Sequence, residues 1–365
     1  MMSYVKHMKR IILSASVLIL ILLLTACLKP DPIDTAFASD VYLMDVLETG
    51  AYARDVYVVD ETIFVAASQI GNQIWQEQSD GTVEKIFEHK FSGNPALRAI
   101  VEPETRLMFT FDRTQGFYKK LSPAWDGFDS VYIHHKTWIE TSESGLFGSG
   151  SNEDFAVRKM NDSLVALYVI DRTSNDGLKQ YYFNRYYRAA DFLYEGSYYY
   201  WELTNVGSST GGINLGLDLR DTLMAISHDE LGVGLYRLDG VELDTLGVVN
   251  TPGEALEVKF YDNYLLSANN WAGMEIFSIG AGDSSLIHLA DIEVGGWVKQ
   301  ISIWNDIAVL SCGENGIFLV DLSDPENPQV DQPIDAGYTY RTHVAGDIIY
   351  AATREGVKRY HIESR

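Results

Sequence analysis

Charged side chains recur a few residues after glycines that are spaced about forty positions apart. At the corresponding positions the sequence has Arg54, Arg98, Asp154, Asn214 or a near neighbour, Glu257, Lys299 and Arg341. If the fold gathers these side chains into one ring, four cations face two acids. A divalent cation needs several carboxylate or histidine ligands, so such a ring opposes a metal. It fits solvated or mutually paired charges, or else an anion site in which the guanidinium forks of Arg54, Arg98 and Arg341 match a carboxylate.

The glycines belong to a repeat that runs through most of the chain. Each copy has a Gly, an apolar stretch, a polar turn and a second apolar stretch. The copies begin at Gly50, Gly93, Gly150, Gly212, Gly253, Gly296 and Gly337. Apolar positions alternate in segments such as "ALEVKF", which is the period of a strand, and helix start signals are absent. Four short strands, A to D, at a period of about forty residues are typical of a β-propeller blade.

The two ends of the repeat complement each other. The last copy stops at "GVKRYHIESR", after strand C, and so lacks a strand D. The segment Asp40 to Glu48 reads as a strand with no A, B or C ahead of it. Placing it in the last blade closes the ring and removes exposed sheet edges. The sequence therefore predicts an all-β fold, a single seven-bladed β-propeller over residues 40–365.

Two segments give the repeat a family resemblance. The stretch "GAYARDVYV" from Gly50 and the stretch "GIFLVDLSDPENPQV" from Gly316 to Val330 resemble the two halves of the LVIVD repeat, a bacterial surface-protein repeat. The resemblance covers residues 40 to 363, and the first blade and the last three match it closely. It implies a propeller fold, and it implies no reaction.

The predicted fold places two groups of side chains on one face. Strands A line the central channel of a propeller, so the charged residues after each glycine are expected to ring its mouth. The B-to-C loops share that face, and they carry Trp75, Trp271 and Arg354. Exposed aromatic and Arg side chains concentrate binding energy in contact surfaces. The alternative is that each Trp fills the space between two blades.

Other chemistry finds little support in the sequence. There is no Gly-rich phosphate loop, nucleophile elbow or zinc motif. Cys312 has no flanking His or second Cys to activate it, so it reads as a small buried apolar residue. The aromatic stretch Gln180–Glu202 fits either cross-strand Tyr pairs in an outer hairpin or a platform for a glycan. We expect no cofactor, no metal and no catalytic residues.

The N-terminal residues predict where the protein is located in the cell. Residues 1–26 contain a basic start with Lys6, Lys9 and Arg10, followed by an apolar run too short to span a membrane comfortably, as in a signal peptide. The run ends in "LTAC", which resembles the lipobox of bacterial lipoproteins, and by that resemblance Cys27 is the lipidated mature N-terminus. Residues 27–39 read as the lipidated cysteine and a short tether. Leu28 after the cysteine favours the outer membrane over the inner.

The net charge of the protein excludes some classes of binding partner. The net charge is −23, and removal of residues 1–26 makes it more negative. Such a surface repels nucleic acid and anionic headgroups, so we expect membrane attachment only through Cys27. The sequence favours a monomeric, non-enzymatic envelope module that binds a protein or an envelope polymer. The alternative is a hydrolase or lactonase-like propeller enzyme with its site at the channel mouth.

Overall fold

The structure is a computed structural model. It describes residues 40–127, 152–172, 177–190, 198–209, 213–240 and 242–363, apart from residues 113, 281, 283, 284 and 332. The chain divides into two compact units, Met1–Ala36 and Phe37–Arg365, and every described residue belongs to the second. The predicted signal peptide, the lipidated Cys27 and the tether lie outside the described residues. No helix long and apolar enough to cross a membrane occurs in the described part of the chain.

Seven antiparallel sheets form a seven-bladed β-propeller, as the repeat predicts. Blade 1 contains β2 (Asp55–Val59), β3 (Thr62–Ala67), β4 (Gly71–Glu77) and β5 (Val83–His89). Within the described residues blade 2 contains β6 (Arg98–Glu102), β7 (Leu107–Phe111) and β8 (Gly116–Lys120). Blade 3 contains β9 (Asn152–Asn161), β10 (Leu164–Asp171), β11 (Leu178–Arg188) and β12 (Tyr198–Ser209).

The remaining blades follow the same order from the channel outwards. Blade 4 contains β13 (Gly216–Arg220), β14 (Leu223–Ser227), β15 (Val233–Asp239) and β16 (Glu242–Val249). Blade 5 contains β17 (Glu257–Tyr261), β18 (Tyr264–Ala268), β19 (Met274–Ile279) and β20 (Leu286–Ile292). Blade 6 contains β21 (Gln300–Trp304), β22 (Ile307–Ser311), β23 (Ile317–Asp321) and β24 (Gln329–Val330). Blade 7 contains β25 (Thr339–Ala345), β26 (Ile348–Thr353) and β27 (Gly356–Glu363).

The N-terminal strand completes blade 7. Strand β1 (Asp40–Leu47) pairs antiparallel with β27, from Asp40 opposite Glu363 to Leu47 opposite Val357. Gly356 begins β27 at φ +123°, and a side chain there would collide with the carbonyl oxygen of Leu47. Gly273, which begins strand C of blade 5 at φ +88°, faces the carbonyl of Ile292 in the same way. The predicted closure is confirmed, because β1 fills the place that strand D fills in the other blades.

Short turns between strands A and B fix the strand register. In blades 1, 4, 5 and 6 two residues connect the strands, and the first of them has a positive φ: Asp60, Asp221, Asp262 and Asn305. Asp and Asn tolerate the left-handed conformation because their short polar side chains hydrogen-bond locally. The register then turns one set of alternating apolar residues toward each neighbouring blade.

The core consists of seven apolar clusters, one between each pair of adjacent blades. The cluster between blades 7 and 1 packs Tyr350 and Val357 against Val56 and Ile63. Each sheet is therefore apolar on both faces. Since every blade contributes to two clusters, closure of the ring buries both apolar faces of each sheet.

Candidate functional site

The innermost strands of all seven blades surround a central cavity of about 270 Å³. Its charged lining consists of Asp55, Arg98, Asp154, Asp218, Glu257, Lys259 and Arg341, together with His343. Four carboxylates therefore face three constitutive cations. The cation surplus expected from the sequence is wrong.

Ion pairs link these side chains across the channel. Arg98 donates from Nε to Asp55 Oδ2 at 2.9 Å and from Nη1 to Asp154 Oδ1. Arg341 contacts Glu257 through Nη2 at 2.5 Å and Asp55 through Nε at 3.5 Å. Lys259 Nζ lies 3.1 Å from Asp218 Oδ1. Each cation of the channel is thus paired with at least one acid.

The same acidic side chains also hold neighbouring blades together. A strand A is the inner edge of its sheet, so some of its N–H groups have no partner strand. Asp55 accepts the N–H of Ala99 at 3.1 Å, and Gln300 accepts the N–H of Thr342 at 2.7 Å, each in the next blade. Asp154 accepts from Leu217, and Asp218 accepts from Phe260, at 3.2 and 2.9 Å. These contacts serve the ring, and they occupy the oxygens that a metal would need.

Burial and charge pairing set the protonation of the channel. Burial would lower the pKa of Arg98, but Asp154 and Asp55 outweigh it and raise that pKa. Burial raises the pKa of Glu257 to about 7, against the opposing effect of Arg341. Burial lowers the pKa of His343 to about 4, so its ring is neutral at pH 7. Asp218 raises the pKa of Lys259 and keeps it charged.

The predicted ring residues divide into two groups. Arg98, Asp154, Glu257 and Arg341 line the channel. In blades 1 and 6 the lining residues are Asp55 and Gln300, and the predicted Arg54 and Lys299 lie one position earlier. The lining residue is the fifth after the glycine in blade 1 and the fourth in blade 6, one position later than predicted in each, and neighbours on a strand face opposite sides. Asn214 is buried, and its Oδ1 lies 2.6 Å from Nδ1 of His228.

Loops of adjacent blades are linked on one face of the propeller. The B-to-C loop of one blade bridges the D-to-A loop of the next at Ser68 with Ala96, Asp229 with Ala255, Asn270 with Val298 and Gly313 with Thr339. Between blades 7 and 1, the N–H of Ala53 donates to the carbonyl of Thr353 at 3.0 Å. We call this surface the loop face.

Five aromatic rings extend across the loop face from blade 5 to blade 1. They are Trp271, Trp297, Tyr338, Tyr340 and Tyr52. Ring centroids lie 4.4 Å apart for the two Trp residues, 4.7 Å for Tyr338 and Tyr340, and 6.5 Å for Tyr340 and Tyr52. Trp271 is 69% exposed, Tyr52 51% and Trp297 38%. Several large apolar ring faces are therefore open to solvent.

Three cations are interleaved with these rings. Lys299 Nζ lies 5.3 Å from the Trp297 ring centre and 4.9 Å from that of Tyr338, whose hydroxyl accepts its hydrogen bond at 2.7 Å. Arg354 covers Tyr338 at 3.9 Å, and Arg54 covers Tyr340 at 4.2 Å. Such contacts hold a cation in place without neutralising it. We call the five rings and three cations the aromatic ladder.

The ladder cations differ from the channel cations in their partners. In the described part of the chain, Lys299, Arg54 and Arg354 have no carboxylate oxygen within 4.0 Å, whereas Arg98 and Arg341 each contact two carboxylates and Lys259 contacts one. In a chain of net charge −23, three cations without an ion pair are thus gathered on one surface. Their charge is available to an anionic ligand.

The predicted contact residues meet different outcomes. Trp271 and Arg354 lie on the loop face as expected. The expectation of an exposed Trp75 is wrong: it belongs to β4, is 8% exposed and packs in the cluster between blades 7 and 1. Its indole donates to Gln73 Oε1 at 3.1 Å, which satisfies the buried N–H.

Sequence reasoning missed four of the five rings. Trp297 and Tyr338 directly follow the blade glycines Gly296 and Gly337, and Tyr52 stands two residues after Gly50. An aromatic residue next to a blade glycine is therefore the signal that would have found them. An aromatic residue at this position lies in the loop just before strand A.

Another side-chain cluster, on the outer strands of blade 5, has the donor types of a metal site. Glu275 Oε1 lies 3.5 Å from His288 Nε2, which lies 2.9 Å from Asp291 Oδ1. Burial raises the pKa of Glu275 to about 7, and Asn269 donates to its other oxygen at 2.5 Å. Protonation of Glu275 satisfies this cluster without an ion.

Comparisons with known proteins bear on the fold alone. No family model matches the sequence, and no curated protein matches it. Among solved structures, the computationally designed Ika8 protein is similar to this chain with a TM-score of 0.54 and 9% sequence identity. The match covers 87% of this chain and 98% of that one. At this identity the likeness supports the propeller architecture and carries no function.

Proposed function

We propose that this protein is a non-enzymatic binding module of the bacterial cell envelope, anchored in the outer membrane by lipid at Cys27, and that its ligand contacts the aromatic ladder. The observation that carries the proposal is the contrast between the two sets of cations. Those of the channel are paired with acids, whereas those of the ladder are held by ring faces and have no carboxylate oxygen of the described residues within 4.0 Å. Aromatic and Arg side chains together are what binding surfaces concentrate.

The channel supports the fold better than it supports a ligand site. Arg98 and Arg341 both contact Asp55, so the anion site expected from Arg54, Arg98 and Arg341 would have to displace a carboxylate already in place. Arg54 instead stacks on Tyr340 in the ladder. A ligand on the loop face needs no such displacement.

The competing enzyme hypothesis has one observation in its favour. A buried Glu257 with a pKa of about 7 is suited to general acid or base chemistry. Its Oε2, however, lies 2.5 Å from Arg341, and the neighbouring acids are bound to Arg98, Lys259 and backbone N–H groups. A substrate would have to break this network before it reached the carboxylate.

Cross-linking in intact cells tests the binding proposal. Wild type would be compared with Trp271→Ala/Lys299→Gln, which removes an exposed ring and a cation of the ladder. The matched control is Tyr187→Ala/Tyr199→Ala, an exposed ring pair with centroids 5.1 Å apart on the outer hairpin of blade 3. We expect a discrete cross-linked adduct in wild type and in the control and its loss in the ladder variant. An adduct that survives the ladder variant would place the site elsewhere, and its absence from wild type would contradict the binding module.

A further inference from the structure

We infer that the ligand of the aromatic ladder is an acidic polysaccharide, a chain of sugar units that carry carboxylates. This inference rests on the proposed binding function and assigns its ligand class. Its basis is the set of ring-to-ring and ring-to-cation contacts that connects blades 5, 6, 7 and 1, in which the cations have no ion pair with a described carboxylate.

The exposed rings suit the flat faces of sugars. A pyranose presents C–H groups on its faces and hydroxyls at its rim, so it packs one face on an aromatic ring and keeps its rim in water. Trp271, Trp297 and Tyr52 offer open rings of this kind. The Tyr hydroxyl and the Trp N–H also provide polar groups at the ring edge.

The cations suit the acidic groups. Lys299 lies between Trp297 and Tyr338, and Arg54 and Arg354 lie over Tyr340 and Tyr338. Guanidinium groups bind carboxylates through two parallel hydrogen bonds, and no carboxylate of the described chain occupies them. Because the whole chain is strongly acidic, an anionic ligand would be repelled wherever such cations are lacking.

The extent of the ladder favours a chain over a single sugar. Its members come from blades 5, 6, 7 and 1, with Trp271 at one end and Tyr52 at the other. The rings at the two ends offer stacking contacts, and the cations lie between these ends. A polymer with repeated sugar faces and repeated carboxylates meets both ends at once, whereas one sugar unit meets one.

An acidic peptide is another negatively charged polymer, but it fits the aromatic ladder less well than an acidic polysaccharide does. Peptides that bind sheets pair with a free strand edge. Here the inner edges of blades 2, 4, 5 and 7 already donate N–H groups to side chains of the preceding blade, such as Asp55 and Gln300. Peptide side chains gain most affinity in closed pockets, whereas the Trp271 ring stands 69% exposed.

Binding measurements with defined polymers test the inference. The probes are polygalacturonate oligosaccharides, neutral galactan oligosaccharides of equal length and poly-glutamate. They are titrated into the full-length lipidated protein in detergent micelles. We expect polygalacturonate to bind more tightly than either other probe and to weaken as salt is raised. Trp271→Ala and Lys299→Gln/Arg354→Gln should each weaken it about tenfold, the scale of one lost ring or ion contact. Lys85→Gln, at an exposed cation paired with Glu88, should leave it unchanged.

The other outcomes separate this inference from the proposed function. Equal binding of poly-glutamate would overturn the sugar assignment in favour of an acidic protein ligand. If neutral galactan binds as tightly as polygalacturonate, the cations do not contribute to recognition and the acidic character of the ligand is contradicted. Failure of polygalacturonate to bind, with a ladder-dependent adduct still formed in cells, would overturn this inference and leave the binding module standing. If polygalacturonate does not bind and no ladder-dependent adduct forms in cells, the proposed function is contradicted as well.

Discussion

Arg359 and Asp45 stand 314 positions apart in the sequence and form a two-pronged ion pair, with Nε to Oδ1 at 2.8 Å and Nη2 to Oδ2 at 2.5 Å. Arg359 is 1% exposed and also reaches Glu77 of blade 1 through Nη1 at 3.1 Å. One guanidinium thus joins the closing strand β1 to blade 7 and blade 7 to blade 1. It strengthens the point where the ring could open.

Replacing this guanidinium should weaken the closed ring. Arg359→Met keeps the apolar stem and leaves Asp45 and Glu77 without their cation. Removing one partner of a buried ion pair costs about 3–5 kcal/mol, and the partial exposure of Asp45 and Glu77 reduces this to about 2–3 kcal/mol here. Urea unfolding measures the difference. Lys85→Gln, at an exposed pair, should change stability by less than about 0.5 kcal/mol, and an equal effect of both variants would contradict the role given to Arg359.

The channel network gives a second stability prediction. Arg98→Met leaves Asp55 and Asp154 buried without their shared cation, and we expect a loss of about 3–5 kcal/mol in urea unfolding. Adding Asp55→Asn removes one of the two carboxylates that lost Arg98. The double variant should therefore lose less free energy of unfolding than the two single variants lose in total. Additive losses would show that Arg98 and Asp55 do not act together.

The half-buried His228 predicts how stability depends on pH in the acid range. Nδ1 of His228 donates to Asn214 and Nε2 accepts from the hydroxyl of Tyr236, both at 2.6 Å, and burial lowers the pKa of the ring to about 4. The unfolded chain protonates this ring near pH 6.5, so its contribution is complete above that pH and is lost as pH falls toward 4. The full contribution is at most about 3 kcal/mol.

The variant His228→Gln isolates this effect. Glu257 and Glu275, whose pKa values burial raises to about 7, act in the opposite sense, because they lose stability as pH rises from about 4.5 toward 7. The comparison is therefore the difference between wild type and variant in urea unfolding at pH 7 and pH 4. Wild type should lose more stability on acidification than the variant does. Parallel pH profiles would mean that His228 takes up its proton in the folded state as readily as in the unfolded chain.

The lipid anchor is tested at the cysteine itself. Cys27→Ser removes the acylation site, and we expect the protein to move from the membrane fraction to the soluble envelope fraction, since acyl chains provide the stable attachment. Cys312→Ser serves as the control because Cys312 is a buried free thiol in the apolar cluster between blades 5 and 6. Retention of the Cys27→Ser protein in the membrane fraction would rule against the anchor.

The architecture was predictable because it repeats. Seven glycine-led copies and two complementary ends determine the blade count and the closure by β1, each from periodicity alone. The site was less predictable because an error of one residue in placing strand A exchanges Arg54 for Asp55 and Lys299 for Gln300 at the channel. Trp75 shows a related limit: the B-to-C loop ends before Gly71, where β4 begins, so Trp75 is the fifth residue of a buried strand. The ladder depends on contacts between four blades, such as Trp271 on Trp297, that no single repeat contains.

Footprinting of the loop face in cells tests the central claim most directly. Hydroxyl radicals oxidise exposed Trp and Tyr rings, and the yields can be compared between purified protein and intact cells. We predict that Trp271, Trp297 and Tyr52 become protected in cells while Tyr187 and Tyr199 of blade 3 stay equally reactive. Equal oxidation of Trp271 and Tyr52 in both samples would show that the aromatic ladder is uncovered in the envelope and would contradict its role as the binding site.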